Sequence, residues 1–129
     1  MVWDDYHLQA VKLCVWREAR GEGHDGCRAV AHVIFNRAKN SGHSLATVVY
    51  FPLQFSSMSA PRDPQLDNYP KTGDVQMQDI EETVELIASG GDADLTNGAT
   101  HYFNPNVVIP DWAKEMTLTL KLGNHDFYK

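Results

Sequence analysis

A helix-length stretch from about Asp25 to Lys39 is apolar around most of its circumference, and this constrains the fold more than any other feature of the chain. Gly26, Val30, Val33, Ile34 and Arg37 succeed one another along one side, while Ala29, Ala31 and Phe35 cover much of the rest. A helix of that kind cannot lie on a surface, so other segments must wrap it. Residues 4 to about 20 place Val11, Cys14 and Val15 at i, i+3 and i+4, with Asp4 or Asp5 to cap the start and Gly21 and Gly23 to end it. Ser44 can cap a short third helix reaching Tyr50. Asp74 to Ser89 returns to helical spacing through Val75, Ile80, Val84 and Ile87, and Gly90-Gly91 closes it.

Between residues 51 and 73 the character changes. Pro52, Pro61, Pro64, Pro70 and Gly73 interrupt regular structure, and a loop of that length inside a small domain is usually functional. Further on, Ala99 to Phe103 reads as extended, Asn104-Pro105 as a turn and Asp111 to Met116 as a helical turn or two. Residues 117 to 122 alternate polar and apolar, and Gly123-Asn124 can return the chain through His125 to Tyr128. The expectation is one α+β domain over residues 1–129, mainly helical, with a small antiparallel sheet near the C-terminus. A chain of 129 residues is long enough for a single core.

Charge and hydropathy narrow the partners. The formal net charge is -6 and no basic stripe is present, which argues against a nucleic-acid partner. No apolar run approaches the ~20 residues of a membrane span, so no membrane insertion is expected. Met1 to Asp5 lacks the basic and apolar segments of a secretory signal. The chain is therefore expected to be made in the cytoplasm, as a monomer, and to reach any outside target only after release.

Glu18 is the residue that most invites chemistry. It lies seven positions beyond Val11, four beyond Cys14 and three beyond Val15, so a helix projects it from the apolar face. Desolvation, together with the negative end of the helix dipole, should favour its protonated form, as a general acid requires. The alternative is a structural ion pair with Arg17, Arg20 or Arg37. Glu22, one turn on, can share that face, cap the second helix or pair with Arg28. His24, His32, His101 and His125 fit no standard zinc spacing, and His32 suits a core or capping role. Neither a metal nor a cofactor is expected. Ser56-Ser57 lacks the Gly-x-Ser-x-Gly elbow of a serine hydrolase. Tyr102 and Phe103 are better sugar-stacking candidates than Trp3, Trp16 and Trp112, which suit a core. Cys14 and Cys27 read as buried thiols, with a bridge between two packed helices as the alternative.

Three ordered stretches carry a family resemblance. They are Glu18-Ala19-Arg20-Gly21-Glu22-Gly23 with Ala29 to Arg37, then Pro52-Leu53-Gln54-Phe55-Ser56, then His101-Tyr102-Phe103-Asn104-Pro105 with Gly123-Asn124-His125-Asp126-Phe127. Together they resemble the SleB/CwlJ-like cell-wall hydrolases of spore germination and phage endolysins. The resemblance implies a lysozyme-like fold and cleavage of peptidoglycan glycan strands between N-acetylmuramic acid and N-acetylglucosamine, commonly as a lytic transglycosylase. It implies Glu18 as the catalytic acid/base, and Glu22, Gln54, Phe55, Ser56, His101, Tyr102 and Asn104 as residues that line the glycan groove. Several members of that family carry a signal peptide and a separate wall-binding domain, which are not seen in this sequence. The expectation is therefore closer to a phage or prophage endolysin, released by lysis or a holin-like partner unless an upstream region is missing. Two alternatives stand beside it: a muramidase-type hydrolase using Glu18 with a second carboxylate such as Glu22, Asp63, Asp67 or Asp111, and a non-catalytic wall-binding module.

Overall fold

The computed structural model describes residues 5–51 and 55–129. The Trp3 and Asp4 readings and the Pro52-Leu53-Gln54 part of the second motif, with Gln54 as a groove residue, lie outside the described residues.

Among the described residues five α-helices come first: α1 (Asp5–Ala19), α2 (Gly23–Ser41), α3 (Leu45–Tyr50), α4 (Ser56–Ser59) and α5 (Val75–Ala88). Three strands follow, β1 (His101–Phe103), β2 (Leu118–Leu122) and β3 (His125–Tyr128), and 3-10 turns occupy Arg20–Glu22, Pro64–Asp67 and Asp111–Glu115. The mainly helical α+β expectation therefore holds. Helix α2 is buried on nearly every side, from Gly26 and Cys27 through Val30, Val33, Ile34 and Phe35 to Ala38. It shares the centre with α1, which packs against α2, α3, α4 and α5.

Local chemistry sets the boundaries. Helix α2 runs past Lys39 to Gly42, whose left-handed φ of 74° lets its N–H reach the Ala38 carbonyl. The Ser44 side chain accepts from the Thr47 amide to start α3, and the Asp74 side chain accepts from the Met77 amide to start α5. The sheet runs in the order β1-β3-β2, all antiparallel, with Tyr102 opposite Phe127. Cys14 and Cys27 are separate buried thiols. Cys27 donates to the Ala19 carbonyl, and burial first, then Asp79 and Glu22, push its thiol up to about 11. Among the described residues no helix is long and apolar enough to cross a membrane.

One polar stripe on α2 fixes the route into the sheet. Arg28, His32 and Asn36 are spaced by four and so share a face. Arg28 and His32 hold Asp92, the latter at 2.7 Å, while Asn36 donates to Asp94 at 2.9 Å and to the Ala99 carbonyl at 3.0 Å. His32 is thus a core histidine with a carboxylate partner. Burial acts to raise the Asp94 carboxyl, but bonds from Thr96 and Asn36 and from the Thr96 and Gly98 amides outweigh it and hold it below its ordinary value. A depressed folded value contributes stability above the unfolded value, and that stability is lost as pH falls through the folded one. Asp94→Asn is accordingly expected to flatten the acid limb of the stability curve below about pH 4. Urea midpoints of both proteins across that range check it.

Candidate active site

Helix α1 delivers Glu18 to its last turn, and β1 delivers Tyr102 opposite. The Tyr102 hydroxyl donates to Glu18 Oε1 at 3.2 Å across a part-buried contact. Burial first, then the Glu18 carboxylate, push the Tyr102 phenol well above its ordinary value, so it stays protonated and remains the donor. Glu18 itself is partly buried. Among the described residues it forms no ion pair, so the arginine-clamp alternative fails. The three candidate partners are turned elsewhere. Arg17 donates to the Ser57, Leu66 and Asn68 carbonyls, and Arg20 to the Trp16 and Arg17 carbonyls and to Gln65. Arg37 donates to the Thr100 carbonyl and lies over the Phe55 ring.

Behind Tyr102 the β2–β3 hairpin is fastened to the end of α1. Glu22 Oε1 lies 3.1 Å from His125 Nδ1 and accepts from the Asn124 amide at 3.3 Å, while its Oε2 accepts from the Asn124 side chain at 3.2 Å. His125 in turn sets its ring edge-on to Tyr102, with centroids 5.1 Å apart, and Phe127 supports Tyr102 from the neighbouring strand at 5.6 Å. The carboxylate of Glu22 is therefore committed to the hairpin. Its side chain does not cap α2, and Arg28 pairs with Asp25 and Asp92 instead. The capping and Arg28-pairing readings of Glu22 are thereby corrected, because Asn124, 102 positions away in the chain, and His125 hold its carboxylate.

The glycine at position 26 makes this possible. A Cβ there would fall 2.5 Å from the Cβ of Glu22. That atom sits next to the backbone, so it cannot swing aside. Gly26→Ala is expected to be net destabilising, since overpacking costs about 1–3 kcal/mol against at most about 1 gained in helix propensity. A thermal melt and the His125 ring resonances report it; an unchanged melt with unshifted rings rules the packing argument out.

The other expected groove residues divide. Tyr102 meets Glu18, but His101 stands on the opposite face of β1, because side chains alternate along a strand. It packs 4.9 Å from Trp112 and lines a pocket of about 420 Å³ with Arg37, Asn40, His43, Phe51 and Thr100. Burial, then Arg37, lower its pKa. Asn104 turns its Oδ1 to the Asn106 amide at 2.9 Å, shaping the bend after β1. Ser56 is exposed at the start of α4. Phe55 is 1% exposed and belongs to the core, so it offers no surface to a ligand in this conformation. Phe103 is also buried, with its face on Tyr128, which corrects its reading as a stacking platform. The role of His125 was not legible from sequence; only the turn signal Gly123-Asn124 hinted that it returns beside β1.

Comparison with known proteins places this geometry. The family described as Cell Wall Hydrolase matches residues 21–128. The spore cortex-lytic enzyme of Halalkalibacterium halodurans is 30% identical over 127 residues, covering 97% of this chain and 35% of that protein. That of Bacillus subtilis is 29% identical over 123 residues, covering 93% and 36%. The chain thus spans about a third of the length of these curated relatives. Among solved structures, the catalytic domain of the germination-specific lytic transglycosylase SleB from Bacillus anthracis aligns with a TM-score of 0.77 at 29% identity, covering 98% of this chain and 97% of that one. The SleB catalytic domain of Bacillus cereus gives 0.78 at 29%, covering 98% and 92%.

Proposed function

The chain belongs to the cell wall hydrolase family, and from that premise we propose that it cuts peptidoglycan glycan strands between N-acetylmuramic acid and N-acetylglucosamine as a lytic transglycosylase, with Glu18 as acid/base. The observation that carries this reading is the Glu18–Tyr102 contact: a partly buried carboxyl at the end of α1 that accepts from a phenolic donor and, among the described residues, is paired with no arginine. Since the family match begins at residue 21, the role of Glu18 rests on this geometry rather than on the match.

In the first half of the reaction Glu18 gives its proton to the glycosidic oxygen. The bond from that oxygen to the muramic acid C1 breaks, and positive charge develops at C1. The 6-hydroxyl of the same sugar then bonds to C1, and its proton returns to the Glu18 carboxylate. A 1,6-anhydro end forms, and the enzyme is restored. The internal nucleophile has a high effective molarity, so one carboxyl suffices. Two candidates for the second carboxylate of a hydrolase are already engaged, Glu22 by the hairpin and Asp63 by the Gln65 amide. Mass spectrometry of muropeptides released from purified sacculi separates the routes: anhydro ends support transglycosylation, and reducing ends would replace it with hydrolysis.

Tyr102→Phe tests the donor. It removes the hydrogen bond that Tyr102 gives the Glu18 carboxyl, which corresponds to a kcat loss of about tenfold, with KM little changed. A KM effect of that size with kcat intact would instead make Tyr102 a substrate contact. Ser56, His101 and Asn104 are proposed to lie along the outer reaches of the glycan path rather than at the cleaved bond. The setting we propose is that of a phage-type endolysin released to the wall by a holin-like pore. Lysis of a host expressing the chain should then depend on such a pore.

A further inference from the structure

On the far side of α1 from Glu18 lies a second concave surface. Tyr6 on α1, Tyr50 at the end of α3 and Tyr69 just before Pro70 surround a cleft of about 360 Å³, floored by Leu13 and Met77. Leu13 and Gln9 precede Glu18 by five and nine positions, roughly 140° and 180° around a helix of 3.6 residues per turn. The cleft is therefore separate from the Glu18–Tyr102 site.

The three rings are presented to solvent, with Tyr6 66%, Tyr50 42% and Tyr69 63% exposed. Two of them are nonetheless held. Tyr6 lies edge-on to His7, whose Nδ1 accepts from the Ala46 amide. The Arg17 guanidinium lies 4.8 Å from the Tyr69 ring centroid while it grips the adjacent Asn68 carbonyl at 3.0 Å. Rings held in this way, as those of Tyr6 and Tyr69 are, need less ordering by a ligand.

The lining identifies the ligand. Although the chain carries 11 basic and 17 acidic residues, none of the described side chains lining the cleft is charged. Aromatic faces suit the C–H faces of pyranose rings, while phenol hydroxyls and the exposed Gln9 amide suit sugar hydroxyls and an N-acetyl carbonyl. Among the described lining residues the carboxylates of a stem peptide would find no cation, since the Arg17 guanidinium beside Tyr69 is turned to the Ser57, Leu66 and Asn68 carbonyls. We propose that this tyrosine cleft is a second, non-catalytic saccharide site that takes uncharged N-acetylated sugar units of a glycan strand. The proposal rests on the glycan-strand reading above. It would hold the protein on an insoluble polymer while a different stretch of strand occupies the Glu18 site.

The test uses the full chain carrying Glu18→Gln, titrated with soluble tetra-N-acetylglucosamine and followed by amide NMR. The expected result is a set of shifts at Gln9, Leu13, Tyr50 and Tyr69, separate from any set around Tyr102. Tyr69→Ala should weaken the first set's Kd by about tenfold, with Tyr6→Ala as an independent second variant. The proposal is overturned by silence at the cleft, by an unchanged Kd in both variants, or by cleft shifts that an isolated stem peptide reproduces. It is equally overturned by shifts that follow protein concentration alone, which would mark the cleft as a contact between two copies. A parallel lysis assay of the unsubstituted chain and Glu18→Gln reports the catalytic reading separately, so either can fail without the other.

Discussion

Glu18→Gln is expected to lower the rate of glycan cleavage by roughly 10²–10⁴-fold, the range for removing a general acid–base group, while leaving the fold intact. The amide has nearly the shape of the carboxyl and keeps an oxygen to accept from the Tyr102 hydroxyl, now at 3.2 Å. It can neither release a proton to the glycosidic oxygen nor take one from the 6-hydroxyl. Clearing of purified sacculi gives the rate, and circular dichroism gives the fold. The side chain contacts Tyr102 from a partly buried position, so both melting and sacculus binding should be near normal. Clearing at the normal rate by this variant would end the assignment, because an amide has no acid/base chemistry to offer. Lost clearing with lost folding would be read through Tyr102→Phe instead, which disturbs the same contact without touching the carboxyl.

What could be read from the sequence, and what could not, follows from the range of each interaction. The placement of Glu18 was legible because its position relative to Val11, Cys14 and Val15 is a matter of helical geometry within eight residues. Its partner was not, since Tyr102 is 84 positions away. Glu22 shows the same limit: the readings offered were local, and the hairpin that binds it is remote. His101 is different, because the missing signal was present. Residues 99–103 read as extended, and the two-residue period of a strand already places His101 and Tyr102 on opposite faces. Family motifs treat adjacent residues as one unit; the pleat separates them. The helix caps at Ser44 and Asp74 were legible because a cap is a local bond. Helix α4 and the Pro64–Asp67 turn were not, since four residues are too few to display a period.

The length of the 51–73 segment made it look like a free loop, yet its described part is fastened from beneath, and Arg17→Ala is expected to show how strongly. Arg17 is only 8% exposed, and it reaches that segment at both ends. Its Nη1 donates to the Ser57 carbonyl at 3.0 Å and lies 3.4 Å from Met58 Sδ, its Nη2 donates to the Leu66 carbonyl at 3.1 Å, and its Nε donates to the Asn68 carbonyl at 3.0 Å. One planar group thus joins α4 to the Pro64–Asp67 turn and to α1. Alanine would leave three carbonyls without their donor and a gap where the guanidinium sat. Each hydrogen bond to a charged group contributes about 1.5–3 kcal/mol, and water can recover part of that, so a loss of about 3 kcal/mol or more is expected. Against a total stability of about 5–15 kcal/mol that is a large fraction. Lysine in place of Arg17 keeps the charge but lacks the fork that reaches carbonyls in three directions, and should recover only a minor part. Urea unfolding measures the loss, and amide hydrogen exchange locates it, with residues 57–68 opening first. If Arg17→Ala unfolds at the same denaturant concentration as the parent, the segment is held by its own turns and the cation beneath it is incidental.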